Sequence, residues 1–145
     1  MTTTPADPSA PLLDGRSIGI AYHAIAAVRD RLLAASGLTF HQSVALKAVA
    51  DGLDRAGAAD RVGATLLIGA AQADALLGEL AGAGLLEGER PSLTGKGRDV
   101  QDRFTDAVAG LTERLYAGIP VAEREIAARA LAHVAARANA ELAAG

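Results

Sequence analysis

Apolar residues recur at helical spacing along almost the whole chain, and that regularity excludes most architectures. Ile18, Ala21, Ile25, Val28 and Leu32 step by threes and fours, which puts them on one stripe of an α-helix. The stepping returns at Leu46, Val49 and Leu53, at Leu76, Leu77 and Leu80, at Val100, Phe104, Val108, Leu111 and Leu115, and more loosely at Ile126, Leu131, Val134 and Leu142. The one interruption is Leu85-Leu86-Glu87-Gly88-Glu89-Arg90-Pro91-Ser92-Leu93. There two short apolar pieces flank a polar turn, the pattern of a small β-hairpin. A two-stranded hairpin is marginal by itself and must lean on helices. The expected fold is mainly α, with about six helices and one hairpin.

Capping residues set the helix limits. The first helix starts near Asp14 or Ser17 and stops at Ser36-Gly37. Thr39 caps the second, with Gly52 and Gly57 marking its end and the loop after it. Asp60 is expected to cap a short third helix through about Ile68, and Gly69 to Ala71 to form a tight connection. A fourth helix is expected over Gln72 to Ala83, closed by Gly84 as a left-handed residue past its end. Thr94 caps a long fifth helix, Gly118 and Pro120 break it, and a sixth runs from Val121 to Leu142.

Composition narrows the chemistry. Half of the 145 residues are hydrophobic but only 3% are aromatic, so the core is built from Leu, Ile, Val and Ala, and the Ala content favours helix. With no cysteine, disulfides, thiolate metal sites and cysteine nucleophiles are excluded. The net charge of −3 argues against a globally basic nucleic-acid binder and leaves room for a local basic patch. The first residues, MTTTPADPSAP, lack the basic and apolar regions of a secretory signal and are expected to form a flexible tail. The longest apolar run, about Val62 to Ala71, is far short of the ~20 residues a membrane span needs. A cytoplasmic location is expected.

The order of elements is that of a helix-turn-helix followed by a wing, and three segments carry a more specific likeness. Leu38-Thr39-Phe40-His41-Gln42 through Leu46 is similar to the "LT..Q...L" opening of the second helix in the MarR family of transcriptional regulators. Leu76-Leu77-Gly78-Glu79-Leu80-Ala81-Gly82-Ala83-Gly84-Leu85-Leu86 is similar to that family's "LV..L...GLV", where the recognition helix hands over to the wing. Leu93-Thr94-Gly95-Lys96-Gly97 is similar to its "LT..G" after the wing. Ile119-Pro120-Val121-Ala122-Glu123-Arg124 also looks like the family's opening of the last helix. The resemblance covers about Ile18 to Leu142. It implies a flexible tail over 1–13 and a single domain over 14–145. Within that domain, 38–93 would be the winged helix-turn-helix, and 14–36 and 94–145 the dimerisation helices. It also implies a homodimer whose recognition helices enter successive major grooves of duplex DNA, and a small ligand held between the dimerisation helices and the reading head.

DNA binding requires cations near phosphates. From Asp60 to Arg90 the charged residues are two positive and five negative, and Gln72 to Ala83 holds no Lys or Arg. Arg61, Gln72, Arg90, Lys96 and Arg98 are therefore the candidate DNA contacts, with Gln72 the side chain suited to a base edge. Three readings remain open: a ligand-responsive regulator, a repurposed fold that binds or converts a small molecule near His23 and His41, and a protein-interaction module that uses the fold only to dimerise.

Arg16, Tyr22, His23, Phe40 and His41 are the candidate ligand-lining residues, for an aromatic or anionic small molecule. The alternatives are ordinary partly buried residues, or acid–base work by His and Tyr. His133 has Arg137 four residues on, no HExxH pattern occurs, and no metal site is expected. Gly95-Lys96-Gly97 lacks phosphate-loop spacing. Asp99, Asp102 and Asp106, diluted by Arg98 and Arg103, read as a solvated helix face. No cofactor and no catalytic set is assigned, and an enzyme is not expected.

Overall fold

The computed structural model describes residues 9–145, so residues 1–8 of the expected tail lie outside the described residues. The elements run α1 (Gly15–Ser36), α2 (Phe40–Ala50), α3 (Arg55–Leu66), α4 (Ala70–Gly82), β1 (Leu86–Glu87), β2 (Ser92–Leu93), α5 (Gly95–Tyr116) and α6 (Val121–Ala144). The strands pair antiparallel, Leu86 opposite Leu93 and Glu87 opposite Ser92. This is the expected mainly α fold with a hairpin wing. The chain divides into two compact units, the first ending at Val108 and the second running Ala109–Gly145.

Short-range hydrogen bonds explain why most helices begin and end as the sequence indicates. Asp14 and Ser17 cap α1 reciprocally, Asp14 Oδ1 accepting from the Ser17 N–H at 2.7 Å and Ser17 Oγ from the Asp14 N–H at 3.0 Å. Thr39 and Gln42 do the same at α2, each at 3.1 Å. Each pair satisfies backbone donors that the first helical turn leaves without partners. Thr94 Oγ1 accepts from the Gly97 N–H at 3.0 Å and so starts α5. At the other end of α4, Gly84 takes a φ of 77° while the Leu85 N–H donates to the Leu80 carbonyl at 2.9 Å. That is a Schellman closure, which needs a residue free to turn left-handed.

The third helix is the exception. It starts at Arg55, not after Asp60, because Asp54 Oδ1 accepts from the Gly57 N–H at 2.8 Å. Asp60 lies inside the helix and is exposed, and Gly57 belongs to the first turn. The fourth helix likewise begins at Ala70, two residues before Gln72. Gln72 is its third residue and accepts the Gly69 N–H at 3.3 Å.

The first unit has one aliphatic core. Leu33 and Leu38 meet Ala45, Leu46 and Val49 of α2, Ala58 and Val62 of α3, and Ala73, Leu77 and Leu80 of α4, with Leu85 and Leu86 closing the wing side. Val100 and Phe104 of α5 pack against it. Each fully buried leucine contributes roughly 1.5–3 kcal/mol, and this sum holds α4 in place.

Between α3 and α4 the chain bends by 115°, the geometry of a helix-turn-helix. Leu67 makes the turn in the left-handed conformation (φ 55°, ψ 46°) with 72% of its surface exposed. A left-handed L-residue costs roughly 1–2 kcal/mol, and exposure returns little burial energy. Leu67→Gly is therefore expected to raise stability by about 0.5–1 kcal/mol after glycine's larger unfolded-state entropy is counted. The urea midpoint measures it, and a lowered midpoint would show that Leu67 makes a stabilising contact.

Candidate nucleic-acid interface

The first unit presents α4 with its apolar face inward. Ala73, Leu76, Leu77 and Leu80 are buried, while Ala70, Ala71, Gln72, Asp74, Ala75, Gly78 and Glu79 are exposed. The outer face is thus made of small side chains, one amide and two carboxylates. Small residues let a helix approach a groove closely, but they supply no charge.

Both carboxylates are engaged from neighbouring helices. Arg55 Nε, at the start of α3, donates to Asp74 Oδ1 at 2.8 Å. Gln42 Nε2 of α2 donates to Glu79 Oε2 at 3.4 Å. The hydrogen bond to Asp74 holds the Arg55 pKa above its usual value, and the reciprocal bond from Arg55 holds the Asp74 carboxyl below its usual range. A second cluster joins α2 to α3. Asp51 accepts from Lys47 Nζ at 2.7 Å and from Arg61 Nη1 at 2.6 Å. The Lys47 hydrogen bond is the main cause that keeps the Asp51 carboxyl below its usual range, with Arg61 adding to it.

These contacts place the five candidate DNA-contact residues in different situations. Arg61 is committed to Asp51, on the side of α3 that meets the end of α2. Gln72 sits exposed at the start of α4. Arg90 is exposed in the hairpin turn that follows Gly88, itself left-handed at φ 87°. Lys96 Nζ donates to the Ala83 carbonyl at 3.2 Å, so it closes the C-terminus of α4, where carbonyl dipoles favour a cation. Arg98 is exposed on the first turns of α5. Arg90 lies in the wing turn, and Lys96 and Arg98 in the first turn of α5 that follows the wing. Arg55 was missed because α3 was expected to start after Asp60. The available signal was Asp54, an N-cap residue three positions before Gly57.

The five candidate ligand residues form two ring pairs. Tyr22 and His23 on α1 meet edge to face with centroids 5.4 Å apart, and Phe40 and His41 on α2 lie 6.3 Å apart. Arg16, Tyr22, His23 and His41 are exposed in the single chain. Phe40 is half-buried beneath the Arg29 guanidinium, 3.7 Å from its ring centroid, a cation–π contact. His41 lines a shallow groove of about 230 Å³ with Ile68, Gln72, Ala75, Leu76 and Glu79. A second groove, of about 300 Å³, lies between Ser43, Val44, Lys47, Arg61, Thr65 and Phe104. Among the described residues no cluster of three or more His, Asp and Glu side chains is arranged to hold a metal ion, and no single helix is long and apolar enough to cross a membrane.

No protein-family profile and no curated protein sequence matches the chain. Solved structures do. A MarR family transcriptional regulator from Rhodococcus sp. RHA1 is similar at 21% identity and a TM-score of 0.61, over 86% of this chain and 96% of that one. CouR from Rhodococcus jostii RHA1, bound to p-coumaroyl-CoA, is similar at 22% identity and a TM-score of 0.63, over 81% and 91%. A MarR family protein from Mycobacterium tuberculosis in complex with DNA is similar at 21% identity and a TM-score of 0.59, over 87% and 98%. The chain has the MarR-like winged-helix fold.

Proposed function

We propose that this protein is a dimeric, DNA-binding transcriptional regulator of the MarR type whose affinity is set by a small ligand. The observation that carries the reading is the reading head itself. A helix-turn-helix holds the outer face of α4 in solvent, and a wing beside it brings Arg90, Lys96 and Arg98 to one end. Dimerisation is supported by α6, none of whose residues is buried in the single chain. An open apolar groove of about 590 Å³ in the second unit, between Tyr116, Ile119, Val121 and Leu131, offers further surface to a partner.

Ligand response rests on the two ring pairs and on the groove that combines the Phe104 ring with the Lys47 and Arg61 cations. An aromatic anion is the class those groups would take, and CouR was captured with p-coumaroyl-CoA. A second reading, a repurposed fold without DNA binding, is favoured by one observation. Asp74 and Glu79 are the sole charged side chains on α4.

Titration against labelled duplex from the protein's own upstream region separates the two. The regulator reading expects sequence-selective binding that weakens roughly 10³-fold or more between about 50 and 200 mM salt, as for a protein with several phosphate contacts. No binding at the lower salt would remove the regulator reading.

A further inference from the structure

We infer that Arg55 is the reading head's main cation toward DNA, positioned by the Asp74 carboxylate of the recognition helix; this rests on the regulator reading above. Three observations converge on it. First, α4 has no cation of its own, so any positive charge at its outer face has to be delivered from another element. Second, the cations of the helix-turn-helix are differently placed. Lys47 and Arg61 both turn to Asp51 at the end of α2, away from the reading helix in connectivity. Arg55 alone is held by a carboxylate of α4, and the pair sits in solvent with 44% and 54% of the two side chains exposed.

Third, the contact uses the Nε edge of the guanidinium, at 2.8 Å from Asp74 Oδ1. An arginine has five N–H donors in a rigid fork. Occupying Nε fixes the plane and leaves the two terminal amino groups to pinch a phosphate or the O6/N7 edge of guanine. The neighbouring outer residues, Ala70, Ala71, Ala75 and Gly78, are too small to hold the duplex away. The negative charge of Asp74 is then part of the recognition device, because it orients the cation before DNA arrives.

The experiment measures affinity and salt slope for the full-length protein on its own upstream duplex and on a scrambled duplex. It compares wild type, Arg55→Gln, Arg55→Lys and Asp74→Asn, with thermal melts to show that all remain folded. Arg55→Gln is expected to weaken binding about ten-fold or more and to lower the salt slope by about two per dimer, one cation per protomer. Arg55→Lys restores the slope, since the charge is kept, but not the preference for the specific duplex, since the fork is lost. Asp74→Asn narrows the ratio of specific to scrambled affinity without weakening the scrambled complex. If Arg55→Gln keeps the wild-type slope, or Asp74→Asn tightens the specific complex, the inference is overturned while the regulator reading stands. Absence of duplex binding by wild type removes both.

Discussion

Gly97→Ala is expected to lower stability by about 3 kcal/mol, at the upper end of what overpacking a well-filled site costs. In thermal unfolding that corresponds to a fall of about 10 °C for a domain of this size. Gly97 is buried in the first turn of α5. A Cβ built there would overlap the Leu85 carbonyl oxygen and lie 3.0 Å from its carbon. That backbone cannot step aside cheaply. The Leu85 N–H closes α4 by its bond to Leu80 at 2.9 Å, and the Leu85 carbonyl accepts the Thr94 N–H at 3.1 Å. Thr94 Oγ1 in turn donates to the Gly84 carbonyl at 2.6 Å and accepts from the Gly97 N–H at 3.0 Å. The end of α4, the root of the wing and the start of α5 thus share one knot of hydrogen bonds, and an added methyl group must break part of it. Gly95→Ala, two residues earlier with no atom within 4 Å of the built Cβ, is the control and is expected to melt no lower than wild type. A Gly97→Ala protein melting within about a degree of wild type would mean that the knot can relax.

That knot also marks the limit of what the sequence conveys. Local hydrogen-bond chemistry was legible. Asp14, Thr39, Thr94 and Gly84 act where the sequence places them, because a cap and its partner are only a few residues apart. Asp54 and Asp60 are both competent N-cap residues, and only the Schellman closure of α2 at Gly52 and Leu53 decides that Asp54 is the one freed to start α3. Taking Asp60 as the cap displaces the start of α3 by six residues and leaves Arg55 out of the candidate DNA contacts. Long-range pairing was not legible at all. Arg55 to Asp74 spans 19 residues, Gln42 to Glu79 spans 37 and Lys96 to Ala83 spans 13. Reading charge along the chain counted Asp74 and Glu79 as bare negatives on α4. In the fold each has a donor from a preceding helix, so the net charge of the segment overstates the repulsion a phosphate would meet. Lys96, counted as a DNA contact, spends a donor on the end of α4.

Ile126→Glu combined with Leu131→Glu is expected to convert the proposed dimer to a monomer in sedimentation or light scattering, and to weaken its proposed duplex binding by at least ~100-fold. The argument begins with α6 alone. It has 24 residues and none is buried, yet Val121, Ile126, Leu131, Val134 and Leu142 are 66%, 59%, 44%, 42% and 66% exposed. At 1.5 Å per residue such a helix is about 36 Å long, and helices are stabilised mainly by packing an apolar face rather than by propensity. Large apolar side chains left exposed along that length mark an interaction site. In a true monomer, carboxylates at two exposed positions would cost little. In an isologous interface each enters twice, close to its symmetry mate, and four added negative charges cannot be accommodated in an apolar seam. The loss of DNA affinity follows from avidity. Two tethered heads gain roughly 10²–10⁴ over one, and a head with so few cations depends on that gain more than a basic one does. A variant that keeps the wild-type mass and binds duplex unchanged would place the interface elsewhere. A variant that is monomeric yet binds as tightly as wild type would separate assembly from DNA reading and leave Arg55 and the wing cations to carry the affinity within one protomer.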